Sequence, residues 1–199
     1  RNTEAYECCD LVPNVLAGVE EVDLSTTVMG LHIDLPLFLS PTALQRLFHH
    51  EGERAVGRAA EAFNTLFGIS SLATVGIEDI AETIRTPKIF QLYYHKDKAL
   101  TWSMIDRCLD AGFDALALTV DTIVGGNRER DLWTGFTSPP KLTPSSLLSF
   151  ATHPSWTLNY LLRDPFQLSH LKDHVAEGSN ISISVSDYFS TMLDQSMDW

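Results

Sequence analysis

The sequence predicts an α/β fold in which helices cover a parallel β-sheet. Four short apolar segments have the composition of buried strands, and each of them ends in polar residues. Helical patterns lie between these segments, and such alternation of strands and helices is typical of a parallel sheet. In barrels of this kind, ligands bind at the carboxyl ends of the strands. Four segments therefore predict half of a binding site: Leu37–Ala43, Leu66–Ser71, Ile89–Tyr93 and Ala115–Asp121.

The composition is that of a soluble globular protein and does not exclude a small anionic substrate. The chain has 199 residues, of which 44% are hydrophobic and 20% charged, and its net charge is −12. This acidic balance argues against nucleic acid as a partner, and no apolar run reaches the ~20 residues of a membrane helix. The three cysteines lack metal or disulfide spacing, and the adjacent His49 and His50 point apart, so we expect no metal site. We expect a reducing compartment and a cytoplasmic location.

The chain reads as one domain in three parts. Residues 1–34 form an N-terminal segment, in which alternation over Val22–Ile33 around Gly30 predicts a hairpin at the bottom of a barrel. Residues 35–121 carry the four strands, and residues 122–199 form a lid-like insertion that leads towards a fifth strand. Because both ends of the chain look cut, we expect a longer parent protein.

Apolar spacing predicts three helices between the strands and three in the insertion. Ala55, Ala59 and Phe63 share one apolar stripe of the first helix, and Gly112 is a natural stop for the third. The predicted helices are Glu51–Phe63, Ile77–Ile84, Asp97–Ala111, Pro144–Thr152, Ser155–Leu162 and Tyr188–Leu193.

Strand parity separates the ligand face of the sheet from its outer face. Gln91 and Tyr93 share a face because strand side chains alternate. Ala117 and Thr119 of the fourth strand are small enough to point into a barrel, whereas Leu116 and Leu118 suit the outer helix layer. Two polar groups on a buried face need partners, which a ligand, water or neighbouring side chains can supply.

The other candidate residues each have a structural alternative. Thr42 and its neighbours could hold an anionic or heteroaromatic ligand or could form an ordinary βα turn, and the Ser70 and Thr119 hydroxyls could bond neighbouring carbonyls. In the charged loop Gly125–Asp131, Arg128 or Arg130 could pair with a substrate carboxylate or with the acidic residues beside them.

Taken together, the segments resemble the FMN-dependent α-hydroxy acid dehydrogenase and oxidase family, which includes glycolate oxidase, flavin-dependent lactate dehydrogenase and mandelate dehydrogenase. Six short motifs agree in order and spacing with that family, and the resemblance spans essentially the whole chain. The motifs are Ser40–Ala43, His49–Glu53, Ser70–Thr74, Phe90–Tyr93, Leu118–Asp121 and Gly126–Asp131.

The resemblance implies a (β/α)8 TIM barrel of which this chain is the first half, with FMN as the cofactor. Tyr93 would touch the flavin and assist at the substrate, and Arg128 would pair with the substrate carboxylate. The family's catalytic histidine is not in this chain, so the chain alone is expected to be inactive. By the same resemblance, the flavin contacts would be Pro41, Thr42, Ala43, Ser70, Gln91, Tyr93 and Thr119.

The resemblance also implies oxidation of a small L-2-hydroxy acid and a homo-oligomer when the protein is complete. Leu72 stands where glycolate oxidase-like members carry Trp, and Thr152–Trp156 is more similar to the lactate dehydrogenase branch. The electron acceptor, whether oxygen, a quinone or a cytochrome, stays open. The alternatives are a non-catalytic half-barrel, or a barrel of another chemistry such as a flavin-dependent isomerase or an aldolase.

Overall fold

An antiparallel hairpin precedes the main sheet. The structure, a computed structural model, describes residues 2–121, 126–127, 129–135, 143–164, 168–171, 191–194, 196 and 198. Strands β1 (Thr26–Val28) and β2 (Leu31–Ile33) pair through a two-residue turn at Met29 and Gly30. Both turn residues have positive φ, +52° and +80°, as a type I′ turn requires. The hairpin predicted over Val22–Ile33 is thus confirmed.

The four predicted core strands form one parallel sheet in chain order, which confirms the α/β prediction. Parallel neighbours need a crossover connection, and a helix follows each of the first three strands. Asp34, just after the hairpin, donates its backbone N–H to the carbonyl of Asn64 at 3.0 Å, which places the hairpin at the amino end of the sheet. The strands are β3 (Phe38–Leu39), β4 (Leu66–Ser70), β5 (Lys88–Tyr93) and β6 (Ala115–Thr119).

Five of the predicted helices begin and end close to their predicted bounds, with local capping that explains them, whereas α1 and α5 were not predicted. Asp97 accepts hydrogen bonds from two amides of the first turn of α4, and Gly112 follows its end at φ +68°. Thr143 and Ser146 form a capping box at the start of α6, whose first residue is Pro144. The helices are α1 (Asn2–Tyr6), α2 (Glu53–Ala62), α3 (Ile77–Thr83), α4 (Lys98–Asp110), α5 (Glu129–Thr134), α6 (Pro144–Thr152) and α7 (Pro154–Leu161), with a 3₁₀ turn at Gln45–Leu47.

The apolar core lies between the outer face of the sheet and α2, α3 and α4. Phe67 and Ile69 of β4 and Phe90 and Leu92 of β5 are at most 1% exposed and belong to one cluster with residues of these helices. Burying each such side chain stabilises the fold by roughly 1.5–3 kcal/mol. Towards its carboxyl end, the opposite face of the same strands carries glycine and polar residues, so the core holds the sheet while that end of the inner face remains available for a site.

Parts of the sequence prediction were wrong. Leu116 and Leu118 were expected under a helix layer, but they are 43% and 46% exposed, because no helix within the described ranges covers that side of β6. Residues 129–131, predicted as loop, begin helix α5. Of the predicted helix Tyr188–Leu193, only 191–193 are described, and Leu193 forms an antiparallel bridge with His95.

The insertion after β6 returns to the loops that follow the earlier strands. The Trp156 indole Nε1–H donates to the Leu47 carbonyl at 2.8 Å, and the Arg46 guanidinium donates to the Asp164 carbonyl at 2.9 Å. Further along, the Asp194 amide donates to the Tyr94 carbonyl at 3.0 Å. The described parts of the insertion are therefore seated at the carboxyl end of the sheet.

Candidate active site

Three polar side chains from neighbouring strands meet on the inner face of the sheet. The register pairs Ser70 of β4 with Gln91 of β5, and Tyr93 of β5 with Thr119 of β6. Because strand side chains alternate, Ser70, Gln91, Tyr93 and Thr119 all point to the face opposite the apolar core. The parity assigned from the sequence to Gln91, Tyr93 and Thr119 is confirmed.

Ser70, Gln91 and Thr119 form a hydrogen-bonded chain across three strands. The Ser70 hydroxyl donates to the Gln91 amide oxygen at 3.0 Å, and the Gln91 amide nitrogen donates to the Thr119 hydroxyl at 2.5 Å. The Leu72 backbone N–H donates to the Ser70 hydroxyl at 3.1 Å. Since Ser70 is 3% and Gln91 8% exposed, these bonds hold both side chains in fixed positions.

The chain retains donors and acceptors for a ligand. The Thr119 hydroxyl accepts from Gln91, and its own proton has no acceptor among the hydrogen bonds of the described residues. The Gln91 amide has a second N–H that can also donate. Donors and acceptors that lie side by side on the inner face of the sheet are suited to the carbonyl oxygens and ring nitrogens of a planar heterocycle. They are poorly suited to a phosphate, which calls for positive charge or clustered backbone amides.

The turn after β3 lies against this face because residue 68 has no side chain. A Cβ added to Gly68 would lie 2.7 Å from Pro41 Cδ and 2.9 Å from its nitrogen, distances that real atoms do not tolerate. Thr42 is exposed, and its hydroxyl donates to the Ser40 carbonyl at 3.3 Å, while Ala43 packs at the edge of the core. Pro41, Thr42 and Ala43 thus border the end of β4 that carries Ser70.

The two residues predicted to meet substrate differ in what the structure shows. Tyr93 is half-buried at the carboxyl end of β5, beside Thr119. Arg128 lies outside the described residues, so its proposed role stays a prediction. Leu72, which stands where glycolate oxidase-like members carry Trp, is 3% exposed and packs within the apolar cluster.

A buried carboxylate close to this site had no assigned role in the sequence prediction. Glu53, the first residue of α2, is fully buried. It accepts hydrogen bonds from the Thr74 amide at 2.9 Å, the Thr74 hydroxyl at 2.7 Å and the Gln45 amide at 3.4 Å. The only signal in the sequence was the motif His49–Glu53, since an acid at the start of a helix usually faces water.

Two other buried groups lie in the core rather than on the inner face. His170 of the insertion meets the Phe90 ring edge-on at 5.4 Å, and burial lowers its pKa to about 3. Burial likewise raises the pKa of the Cys108 thiol to about 12, which makes it a poor nucleophile. In the part of the chain that the structure describes, no group of three His, Cys, Asp or Glu residues could hold a metal.

Helix α7 of the insertion has two different faces. Trp156 and Tyr160, one turn apart, stack at 5.1 Å, and Trp156 bonds the loop after β3. Leu158, Leu161 and the following Leu162 project on the other side and are 55%, 69% and 74% exposed. Among the helices of the described ranges, none is both long and apolar enough to cross a membrane.

Comparison with known proteins identifies relatives of this chain. The model of the family described as FMN-dependent dehydrogenase matches residues 1–199. Glycolate oxidase 1 of Zea mays is 42% identical over 142 residues, which cover 71% of this chain and 38% of the relative. L-lactate oxidase of Nostoc sp. is 40% identical over 154 residues, which cover 75% of this chain and 42% of the relative.

A solved structure extends the likeness to the insertion. The crystal structure described as the monotopic membrane protein (S)-mandelate dehydrogenase superposes with a TM-score of 0.87 at 28% identity, over 98% of this chain and 52% of its own. The chain spans about 40% of the length of the curated relatives it matches. With the strand-end side chains in place and a family model that matches every residue, this chain belongs to the FMN-dependent dehydrogenase family.

Proposed function

We propose that this chain supplies part of the flavin and substrate site of an enzyme that oxidises a small L-2-hydroxy acid to the 2-oxo acid. The observation that carries the proposal is the hydrogen-bonded chain of Ser70, Gln91 and Thr119 on the inner face of the sheet. The family model and the two oxidase relatives support the same reaction class.

The residues present fit the polar edge of FMN. On the inner face of the sheet, the Thr119 hydroxyl and the second Gln91 N–H can donate, and the Ser70 hydroxyl can accept. The turn at Pro41–Ala43 would border the ring. When bound, FMN supplies the acceptor for the hydrogen and electron pair that leave the substrate α-carbon. Ser70, Gln91 and Thr119 would hold that ring in place.

Tyr93 and Arg128 would orient the substrate. The Tyr93 side chain lies on the ligand face beside Thr119, where its hydroxyl could hold the substrate hydroxyl or carboxylate. A guanidinium at Arg128 would pair with the carboxylate through two parallel bonds. Because orientation of the α-carbon decides the rate, these two side chains would position substrate, while the proton would pass to a base that this chain does not supply.

Lactate is the substrate we propose. L-lactate oxidase of Nostoc sp. is one of the relatives, and Thr152–Trp156 resembles the lactate dehydrogenase branch. The test is anaerobic mixing of the purified full-length protein with L-lactate, D-lactate, glycolate or mandelate, while the flavin absorbance is recorded. Fastest bleaching by L-lactate supports the proposal. Release of a cofactor other than FMN, or no bleaching by any hydroxy acid, would contradict the function itself.

We further propose that the leucine face of α6 and α7 rests on the cytoplasmic surface of a membrane. Leu147 and Leu148 of α6 are exposed like the leucines of α7, and residues 143–162 carry no Lys, Arg, Asp or Glu. The structural relative described as a monotopic membrane protein aligns over nearly the whole chain, whereas the oxidase relatives align over 71% and 75% of it. Helices of nine and eight residues are too short to cross a bilayer, so these apolar side chains would lie in its interface.

Vesicle binding tests the membrane proposal. The double change Leu158→Gln and Leu161→Gln should reduce co-sedimentation of the protein with lipid vesicles several-fold. Leu109→Gln is the matched control, because this α4 leucine is 70% exposed but belongs to a different surface. Equal vesicle binding of the double variant and the control would refute the proposal.

A further inference from the structure

The turn that borders the flavin face contains a strained residue. Leu44, directly after Ala43, has φ +57° and ψ +35°, the left-handed region that a leucine adopts only when its surroundings impose it. Hydrogen bonds flank this residue on both sides. The Leu44 amide donates to the Leu72 carbonyl at 3.2 Å, and the next amide, that of Gln45, donates to Glu53 Oε1 at 3.4 Å.

The Glu53 carboxylate ties this turn to the loop after β4. Its Oε1 accepts from the amides of Gln45 and Thr74, and its Oε2 accepts from the Thr74 hydroxyl. The same hydroxyl accepts from the Arg46 amide at 3.1 Å. Two successive backbone amides after Leu44 therefore donate to this pair of side chains. The Gln45 amide donates to Glu53, and the Arg46 amide donates to Thr74. None of the salt bridges among the described residues involves Glu53.

The arrangement of donors suits a carboxylate better than a neutral amide. Three donors converge on two oxygens, so a glutamine would direct its NH₂ group at one of them and leave a buried donor without an acceptor. A buried anion is costly unless it is fully hydrogen-bonded, and the amino end of α2 partly offsets that cost. A carboxylate at such a position is explained by the two loops that its hydrogen bonds join.

We propose that Glu53, acting with Thr74, is a positioning residue that fixes the turn Pro41–Ala43 against the bound flavin. The inference rests on the proposed flavin site, since that turn would form one of its borders. Glu53 does not touch the ligand. It sets the path of the backbone two residues beyond Ala43, and the strain at Leu44 would relax and shift the turn if the carboxylate were lost.

The test compares four variants of the full-length protein. Glu53→Gln removes the charge at constant size, and Thr74→Val removes the hydroxyl, whereas Thr74→Ser retains it and should behave as the wild type. Glu51→Gln is the matched control, because Glu51 lies two residues away but forms an ion pair with Arg58 at the surface, at 2.6 Å. If Glu53→Gln fails to fold, the two Thr74 variants carry the test.

Three measurements distinguish positioning from general stability. We expect Glu53→Gln and Thr74→Val to weaken FMN binding by about tenfold at temperatures where the apoprotein is fully folded. We also expect them to shift the visible absorbance of the bound flavin and to speed hydrogen exchange at residues 44–47. Lower thermal stability with unchanged FMN affinity and spectrum would overturn the proposal. A wild-type protein that binds no FMN would instead refute the proposed function.

Discussion

The change Gln91→Leu tests the proposed site most directly. Leucine has a similar size but can neither accept from Ser70 nor donate to Thr119, which Gln91 does at 3.0 and 2.5 Å. A typical internal hydrogen bond contributes about 0.5–1.5 kcal/mol, so loss of the two should lower the free energy of unfolding of the apoprotein by about 1–3 kcal/mol. Loss of the Gln91 contact with the flavin edge should cost a similar amount in binding, or roughly 5- to 150-fold in the dissociation constant.

The assay is titration of the apoprotein with FMN, followed by quenching of flavin fluorescence, together with urea unfolding. Thr86→Val is the matched control, because it removes a buried hydroxyl that donates to the Thr65 carbonyl at 2.6 Å near the opposite end of β5. We expect both variants to lose stability and only Gln91→Leu to lose FMN affinity.

An unchanged FMN dissociation constant in Gln91→Leu would refute the reasoning. The hydrogen-bonded chain would then serve only to join the strands, and the ligand would lie elsewhere on the inner face. Equal losses of affinity in the two variants would point to general loosening of the sheet.

Three further changes test the remaining residues. Arg128→Lys should raise the KM for substrate about tenfold or more with normal flavin content, because an ammonium cannot form the bidentate pair. If Arg130→Lys causes this loss instead, the carboxylate-binding residue is Arg130 and not Arg128. Tyr93→Phe should slow flavin reduction in single turnovers without a change in circular dichroism. Burial lowers the pKa of His170 from 6.5 to about 3, so this imidazole is protonated in the unfolded chain before it is protonated in the folded one. The free energy of unfolding should therefore decrease as the pH falls from 6.5 to about 3. His170→Leu should flatten that profile in urea unfolding, and an unchanged slope would contradict this assignment.

The parts of the fold that depend on short-range pattern were predictable. The alternation of Gln91 and Tyr93 with Phe90 and Leu92 reports which face each residue occupies, because the strand period is two residues. Helices such as α4 can be predicted from their capping residues as well as from their apolar spacing. The position of polar residues at the ligand-binding edge followed from the same logic, since the carboxyl ends of parallel strands meet at one edge of the sheet. Their assignment to a flavin came from the resemblance to the family.

The parts that depend on long-range contacts were not predictable from local pattern. Nothing near Glu53 indicates that its carboxylate turns inward, because its partner Thr74 is 21 residues away. The exposed side of β6 was misjudged for a related reason. Leu116 and Leu118 have the pattern of covered residues, but whether a helix covers them is decided by other parts of the fold.

The seating of the insertion has a consequence for the order of folding. The hydrogen bonds of Trp156 to Leu47 and of Arg46 to Asp164 join residues 109 and 118 positions apart, whereas adjacent strands of the sheet are joined through one short helix. Closing a longer loop costs more conformational entropy than closing a shorter one, and this cost arises before the contact between its ends can stabilise the chain. The sheet should therefore form first and the insertion dock last, and the insertion should also be the first part to detach. Partial unfolding would then open the carboxyl end of the sheet while the core below it stays intact.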